Sequence, residues 1–223
     1  HASKMLDGYL DESGHAALAR AASQARVWAE HAPTHFEVVV DAARARTGIK
    51  AYGKEIGVDV AQALHALGPR PLRFHALSLD DAGVAIPILH SDEGFRLLLA
   101  EPPARELADS IEAIMRPFPA GLLSDAGLLV SNPALAPPEL RREFTRFAYH
   151  GTVVWSWQQA LMAAGFERQL RRADLPAPLR ARLESARATL WSVIESTNAL
   201  RTSELWSWSW TGDARGGHYR IEP

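Results

Sequence analysis

Between Pro178 and Ala199, Leu179, Leu183, Ala186, Leu190, Val193 and Thr197 recur at steps of 4, 3, 4, 3 and 4, while Arg180, Arg182, Glu184 and Arg187 fall elsewhere. That period is one face of an α-helix, and a helix with a single apolar stripe must lie against another element. Partners are at hand. Ala2 to Leu10 and Ala16 to Glu30 read as a helical hairpin, the second helix opened by Ser13 or Gly14. Val60 to Leu67, Phe95 to Leu99 after Ser91, Ala104 to Met115 after Pro102-Pro103, and Glu139 to Phe147 read as further helices. Thr152 to Ala164, apolar nearly all round and ended by Gly165, should be a buried one.

Strand signals are fewer. Phe36 to Val40 is a β-branched run, and Arg73 to Leu79 with Val84 to Leu89 flank the turn Asp80-Asp81-Ala82-Gly83, which predicts a β-hairpin in a small insertion at about 36–89. Gly48 to Gly57 is weakly patterned. Residues 118–138, rich in Pro, Gly, Asn and Ser, read as a long loop, and a loop of that length in a compact unit is usually functional. The expected class is all-α: six to eight helices in sequential hairpins, without a fixed-period repeat.

Composition removes several functions. The 223 residues are 47% hydrophobic and 22% charged, ordinary for a chain with a real core. A net charge of −2 without basic blocks offers no footprint for nucleic acid or an anionic membrane, and there is no apolar run long enough to span a bilayer. With no Cys there are no disulfides, thiolate metal sites or thiol nucleophiles. The nine His are dispersed without ligand spacing, so no metal and no cofactor is expected. Gly-rich phosphate loops and nucleophile elbows are lacking too. The start at His1 reads as cut, so the localisation stays open.

Three segments could carry chemistry. In Tyr149-His150-Gly151-Thr152-Val153-Val154-Trp155-Ser156-Trp157-Gln158-Gln159, Thr152 is placed to cap a helix, leaving backbone N–H groups near His150 and Gly151 facing a ligand. An indole beside two amides suits a sugar, because the ring covers C–H faces while the amides both donate and accept. The same residues are equally ordinary core material. In Ser203-Glu204-Leu205-Trp206-Ser207-Trp208-Ser209-Trp210, three Trp at every second position share a face only in an extended chain. They would form an aromatic wall whose apolar surroundings raise the carboxyl pKa of Glu204. The alternative is a half-buried strand with an exposed Glu. In Pro87-Ile88-Leu89-His90-Ser91-Asp92-Glu93-Gly94-Phe95, Asp92 and Glu93 suit either a helix start or, for Asp92, a ligand.

The Tyr149–Trp157 segment with Ala160-Leu161-Met162-Ala163-Ala164-Gly165 resembles the Y-H-x-G-x-V-W-P-W…A-L-x-A-x-G pattern of six-hairpin glycosidases, a group that includes the glucosidase domain of glycogen-debranching enzymes, mannosylglycerate-hydrolase-like proteins and glucoamylase-like proteins. Ser203-Glu204-Leu205-Trp206 is similar to their P-E-L-F/W segment, and Ser91-Asp92-Glu93-Gly94 also has counterparts there. Ser156 stands where that pattern has Pro, and Gln158 where many relatives have Asn or Asp. The resemblance implies that the chain is a single segment, 1–223, forming roughly the second half of an (α/α)6 toroid, with the rest of the barrel as its partner. It implies an inverting glycoside hydrolase acting on an α-linked glucoside or related sugar. Glu204 would be the catalytic base, and His150, Trp155, Trp157, Gln158, Trp206 and Asp92 would bind substrate. The second carboxyl group, the acid, would stand roughly 6.5–9.5 Å from the base and lie upstream of His1. Two rival expectations are a non-catalytic carbohydrate-binding or scaffold domain and a helical protein-interaction domain with an apolar groove.

Overall fold

The computed structural model describes residues 9–200, 202–213 and 216–222. Helix α1 (Glu12–Phe36) leads into strand β1 (Glu37–Val40), then come α2 (Ala42–Ile56), α3 (Ala61–Leu67), β2 (Leu72–His75), β3 (Leu89–His90), α4 (Glu93–Leu99) and α5 (Ala104–Met115). Three two-residue strands follow, β4 (Leu123–Ser124), β5 (Gly127–Leu128) and β6 (Ser131–Asn132), then α6 (Pro138–Arg141), β7 (Val154–Trp155), α7 (Ser156–Leu170), α8 (Ala177–Ser196), β8 (Leu205–Asp213) and β9 (Gly216–Glu222). The expected helix at Ala2 to Leu10 falls almost wholly outside the described residues.

The chain is therefore not all-α, and it is not a partial (α/α)6 toroid. Helix accounts for 51% and strand for 18%, with several antiparallel sheets, a mixed α/β arrangement. Several strands have partners far off in sequence, which hides them: β1 pairs with β2, β3 with β6, and β7 with β8; only β4 with β5 and β8 with β9 are local pairs among the described residues. The expected hairpin at 73–89 shrinks to one bridge, Leu79 to Ala85, since β2 is taken by β1 and β3 by β6. Gly48 to Gly57 turns out to lie mostly within α2, which ends on Gly57 in the left-handed conformation at φ 73°.

One contiguous core runs through nearly every element. It joins Ile49 of α2, Leu72 of β2, Leu97 of α4, Ile111 and Ile114 of α5, Phe166 of α7, Leu183 and Leu190 of α8, and Trp208 of β8. The stripe on α8 is as expected, with Leu179, Leu183, Ala186 and Leu190 all buried. Helix α1 differs: Ala32 is its buried residue, Asp11 caps it by accepting the Gly14 N–H at 2.7 Å, and Val27 and Trp28 stay exposed. No helix is long and apolar enough to cross a membrane among the described residues.

The stretch 118–138 is no surface loop. Most of it is buried, so its backbone needs internal partners. Short pairings β3–β6 and β4–β5 supply some, and Asn132 supplies more: its amide donates to the carbonyls of Pro119 (2.9 Å) and Gly121 (2.8 Å) and accepts from Ala134 N–H (3.0 Å).

Gly165 was expected to end a helix but sits inside α7, where its missing side chain lets α4 approach. A Cβ there would lie 2.9 Å from Leu97 Cβ and 3.2 Å from the Gly94 carbonyl oxygen. Gly165→Ala should thus be destabilising by about 1–2 kcal/mol, overpacking outweighing the roughly 1 kcal/mol gain in helix propensity. Urea unfolding of the two proteins checks this; an unchanged or raised midpoint would show that the helices are not in tight contact here.

Candidate functional site

The β7–β8 pairing creates the site. Val154 faces Trp206 and Trp155 faces Leu205 across the ladder, so segments fifty residues apart meet with Tyr149 and Glu204 at the same edge. The first residue of α7 tightens this join: Ser156 donates both its backbone N–H (2.9 Å) and its hydroxyl (3.1 Å) to the carbonyl of Glu204. A Pro at this position, as in the glycosidase pattern, would offer neither donor. Here Ser156 positions the Glu204 backbone.

Glu204 is exposed, which corrects the expectation of an apolar setting around it. Its Oε1 accepts the Tyr149 hydroxyl at 2.5 Å. That hydrogen bond, with the carboxylate's charge, raises the phenol pKa above its ordinary value of 10.0. Tyr149 begins an aromatic cluster. Its ring lies 5.0 Å from His150 and 4.7 Å from Trp155, centroid to centroid, and Trp155 lies 4.9 Å from His150 and 5.4 Å from Trp157. Trp157 in turn contacts Phe95 of α4 at 5.9 Å. Trp155 is buried, its indole N–H donating to the Tyr149 carbonyl at 3.1 Å, whereas Tyr149, Trp157 and Phe95 are 49%, 41% and 41% exposed.

Asp92 lies at the start of α4, yet its side chain caps nothing. Instead Gln158 Nε2 donates to Oδ1 at 2.6 Å, and His90 Nδ1 stands 2.9 Å from Oδ2 without hydrogen-bond alignment. Burial pushes the Asp92 carboxyl pKa up, but His90, Gln158 and the nearby His150 together outweigh it and hold the pKa below its ordinary 3.8. Asp92 and His90 open onto a cavity of about 800 Å³ walled on its far side by α1. Glu93 is spoken for, its Oε1 receiving the Ser110 hydroxyl at 2.6 Å and Arg96 at 3.0 Å, so it ties α4 to α5.

The remaining expected residues serve the frame. Gln158 is buried with both amide atoms engaged, by Asp92 and by the hydroxyl of Ser91, so it positions Asp92 instead of meeting a ligand. Gln159 accepts the Leu128 N–H at 3.0 Å. Trp206 is core, not pocket wall: it is 2% exposed and its indole N–H is bound to the Ala126 carbonyl at 2.7 Å. Trp208 is buried likewise, donating to the Thr152 carbonyl at 2.6 Å, so the alternating Trp face points into the protein. Thr152 is no helix cap, since α7 begins four residues later with Trp155 at its N-cap. Gly151 is needed for close approach: a Cβ would meet the Thr145 carbonyl oxygen at 1.9 Å.

Sequence reasoning missed Tyr149 and His90 as partners of the two carboxylates. Both stand in the quoted motifs, but the Tyr149–Glu204 bond depends on a pairing fifty-five residues long. Among the described residues no group of three or more His, Asp or Glu is placed to hold a metal ion. Comparison with protein-family models, curated proteins and solved structures finds no significant match in any of the three.

Two outcomes test this geometry. Ser156→Pro fits the first turn of α7 but removes two hydrogen bonds to the Glu204 carbonyl, at a cost of about 1–2 kcal/mol. Thermal unfolding should show the loss, while Ser156→Ala, which removes one, should lose about half as much. For Asp92, a depressed folded pKa means that its contribution is present above 3.8 and is lost as the pH falls below that value. The stability gap between the native protein and Asp92→Asn, measured by urea titration, should accordingly be wider at pH 6 than at pH 3. A gap that is the same at both would mean the Asp92 network does not favour the charged carboxylate.

Proposed function

We propose that this protein hydrolyses a glycosidic bond, acting on an α-linked glucoside or related sugar with Glu204 as the base. The observation that carries the reading is an exposed carboxylate fixed by a tyrosine at the rim of a part-exposed aromatic cluster, with a second carboxylate network beside it. Each part has a use in that chemistry. The rings of Tyr149 and Trp157 offer flat apolar surface to the C–H faces of a sugar, and His150 adds a polar edge. Tyr149 occupies one oxygen of Glu204; the other, Oε2, carries no hydrogen bond among the described residues and is free to take a proton from water. The motif likeness to six-hairpin glycosidases supports the same reading from sequence, although their barrel is not the fold found here.

Asp92 has a different part. A carboxyl group held below its ordinary pKa is ionised at neutral pH, so it accepts hydrogen bonds from sugar hydroxyls, and the leaving oxygen takes its proton from the separate acid that the resemblance implies. That ionised state is the specific observation favouring a second reading, a carbohydrate-binding domain without turnover.

The experiment is hydrolysis of a panel of aryl α-glycosides and α-linked disaccharides by the protein and its Glu204→Gln variant, with sugar binding followed by calorimetry. The hydrolase reading expects turnover, lowered by about 10²–10⁴-fold in Glu204→Gln with binding retained. Full activity in the variant would remove Glu204 from the mechanism. Binding by the native protein without turnover would leave the binding-domain reading in its place.

A further inference from the structure

A second cavity, of about 450 Å³, opens where α2, the 141–147 segment and the middle of β8 meet. Three guanidinium groups, those of Arg141, Arg142 and Arg146, line it against the single carboxylate of Glu55. Arg141 already neutralises that carboxylate, its Nε and Nη2 lying 2.9 Å and 2.8 Å from Glu55 Oε2. Arg146 has only neutral company: Nη1 donates to the Trp208 carbonyl at 2.7 Å, and its guanidinium carbon lies 4.9 Å from the Phe147 ring and 5.5 Å from that of Trp208. Among the described residues no carboxylate pairs with Arg142 or Arg146. Glu222 reaches the rim only through its hydrogen bond with the Ser209 hydroxyl. The cavity thus carries two unneutralised guanidinium groups beside an aromatic wall that includes Trp210 and the 82% exposed Phe147.

Unpaired guanidinium groups in a concave site match a planar or tetrahedral oxyanion, to which Arg donates in a fork. Aromatic rings next to them suit a ring-bearing body with exposed C–H faces. We propose that this cavity binds an acidic monosaccharide, its anionic group held between Arg142 and Arg146 and its ring against Trp210. The site shares no residue with the Glu204 cluster, and the inference does not depend on hydrolysis.

Titration calorimetry at low salt with glucuronate, glucose 6-phosphate, glucose, inorganic phosphate and adenosine monophosphate tests it, using the native protein and Arg142→Gln. Arg142 is exposed and, among the described residues, makes no side-chain bond, so its variant should fold as the native protein does, which circular dichroism verifies. One or both of the acidic sugars should bind more tightly than glucose or inorganic phosphate, and Arg142→Gln should weaken that binding by about tenfold or more. Whichever of the two binds better tells whether a carboxylate or a phosphate ester is preferred. The proposal is overturned if neither acid binds at up to about 10 mM, a concentration that reveals even millimolar affinity. It is also overturned if Arg142→Gln binds as well as the native protein, or if adenosine monophosphate binds more tightly than both sugars.

Discussion

Two residue pairs, Val154 with Trp206 and Trp155 with Leu205, hold together what is chemically distinctive in this protein. Strand β7 is only two residues long, but it is buried and braced on both sides: Val130 N–H bonds the Val153 carbonyl at 2.7 Å on one, and β8 pairs on the other. Without that ladder Tyr149 would have no carboxylate and Glu204 no anchor. Indole N–H groups reinforce it, because Trp206 and Trp208 each bond a carbonyl from a different segment. A buried indole normally finds such an acceptor, and each bond fixes a loop that would otherwise bury unpaired backbone.

The helical part of the fold was legible because its signal is local. Ala104–Met115 matches the boundaries suggested by Pro102-Pro103, and the α8 stripe repeats over five turns. Expecting an all-α chain failed for the complementary reason. A two-residue strand has no period to detect, and the pairings that define β3, β6 and β7 join residues 41 to 52 positions apart. The Trp alternation did announce an extended segment, but alternation cannot say which way a face points. Trp206 and Trp208 went into the core, Trp210 stayed half-buried at a cavity, and the serines went to the other face.

At the site, two of the quoted segments do meet, through the β7–β8 pairing, but the part each residue takes was less legible. Asp92 and Glu204 are both placed where chemistry is possible, while Gln158 and Trp206 belong to the frame. The difference lies in burial and partner choice. Gln158 is drawn inward because Ser91 and Asp92 present a donor and an acceptor, respectively, at matching separation, which no spacing in the chain reveals. Ser156 shows the converse: a departure from a familiar pattern has its own role, supplying the two donors that replace a proline's rigidity.

Strand β8 changes partner along its length, joining β7 through Leu205 and Trp206 and β9 from Ser207 onward. Sliding it by one residue against either neighbour would turn the buried indoles of Trp206 and Trp208 out to water and bring serines into the core, which makes a one-residue slip costly. The span from Glu204 to Trp210 is therefore a ruler of fixed length. The aromatic cluster at one end and the arginine-lined cavity at the other are graduations on a single rigid scale, so any molecule long enough to touch both must match a separation that the backbone pitch dictates.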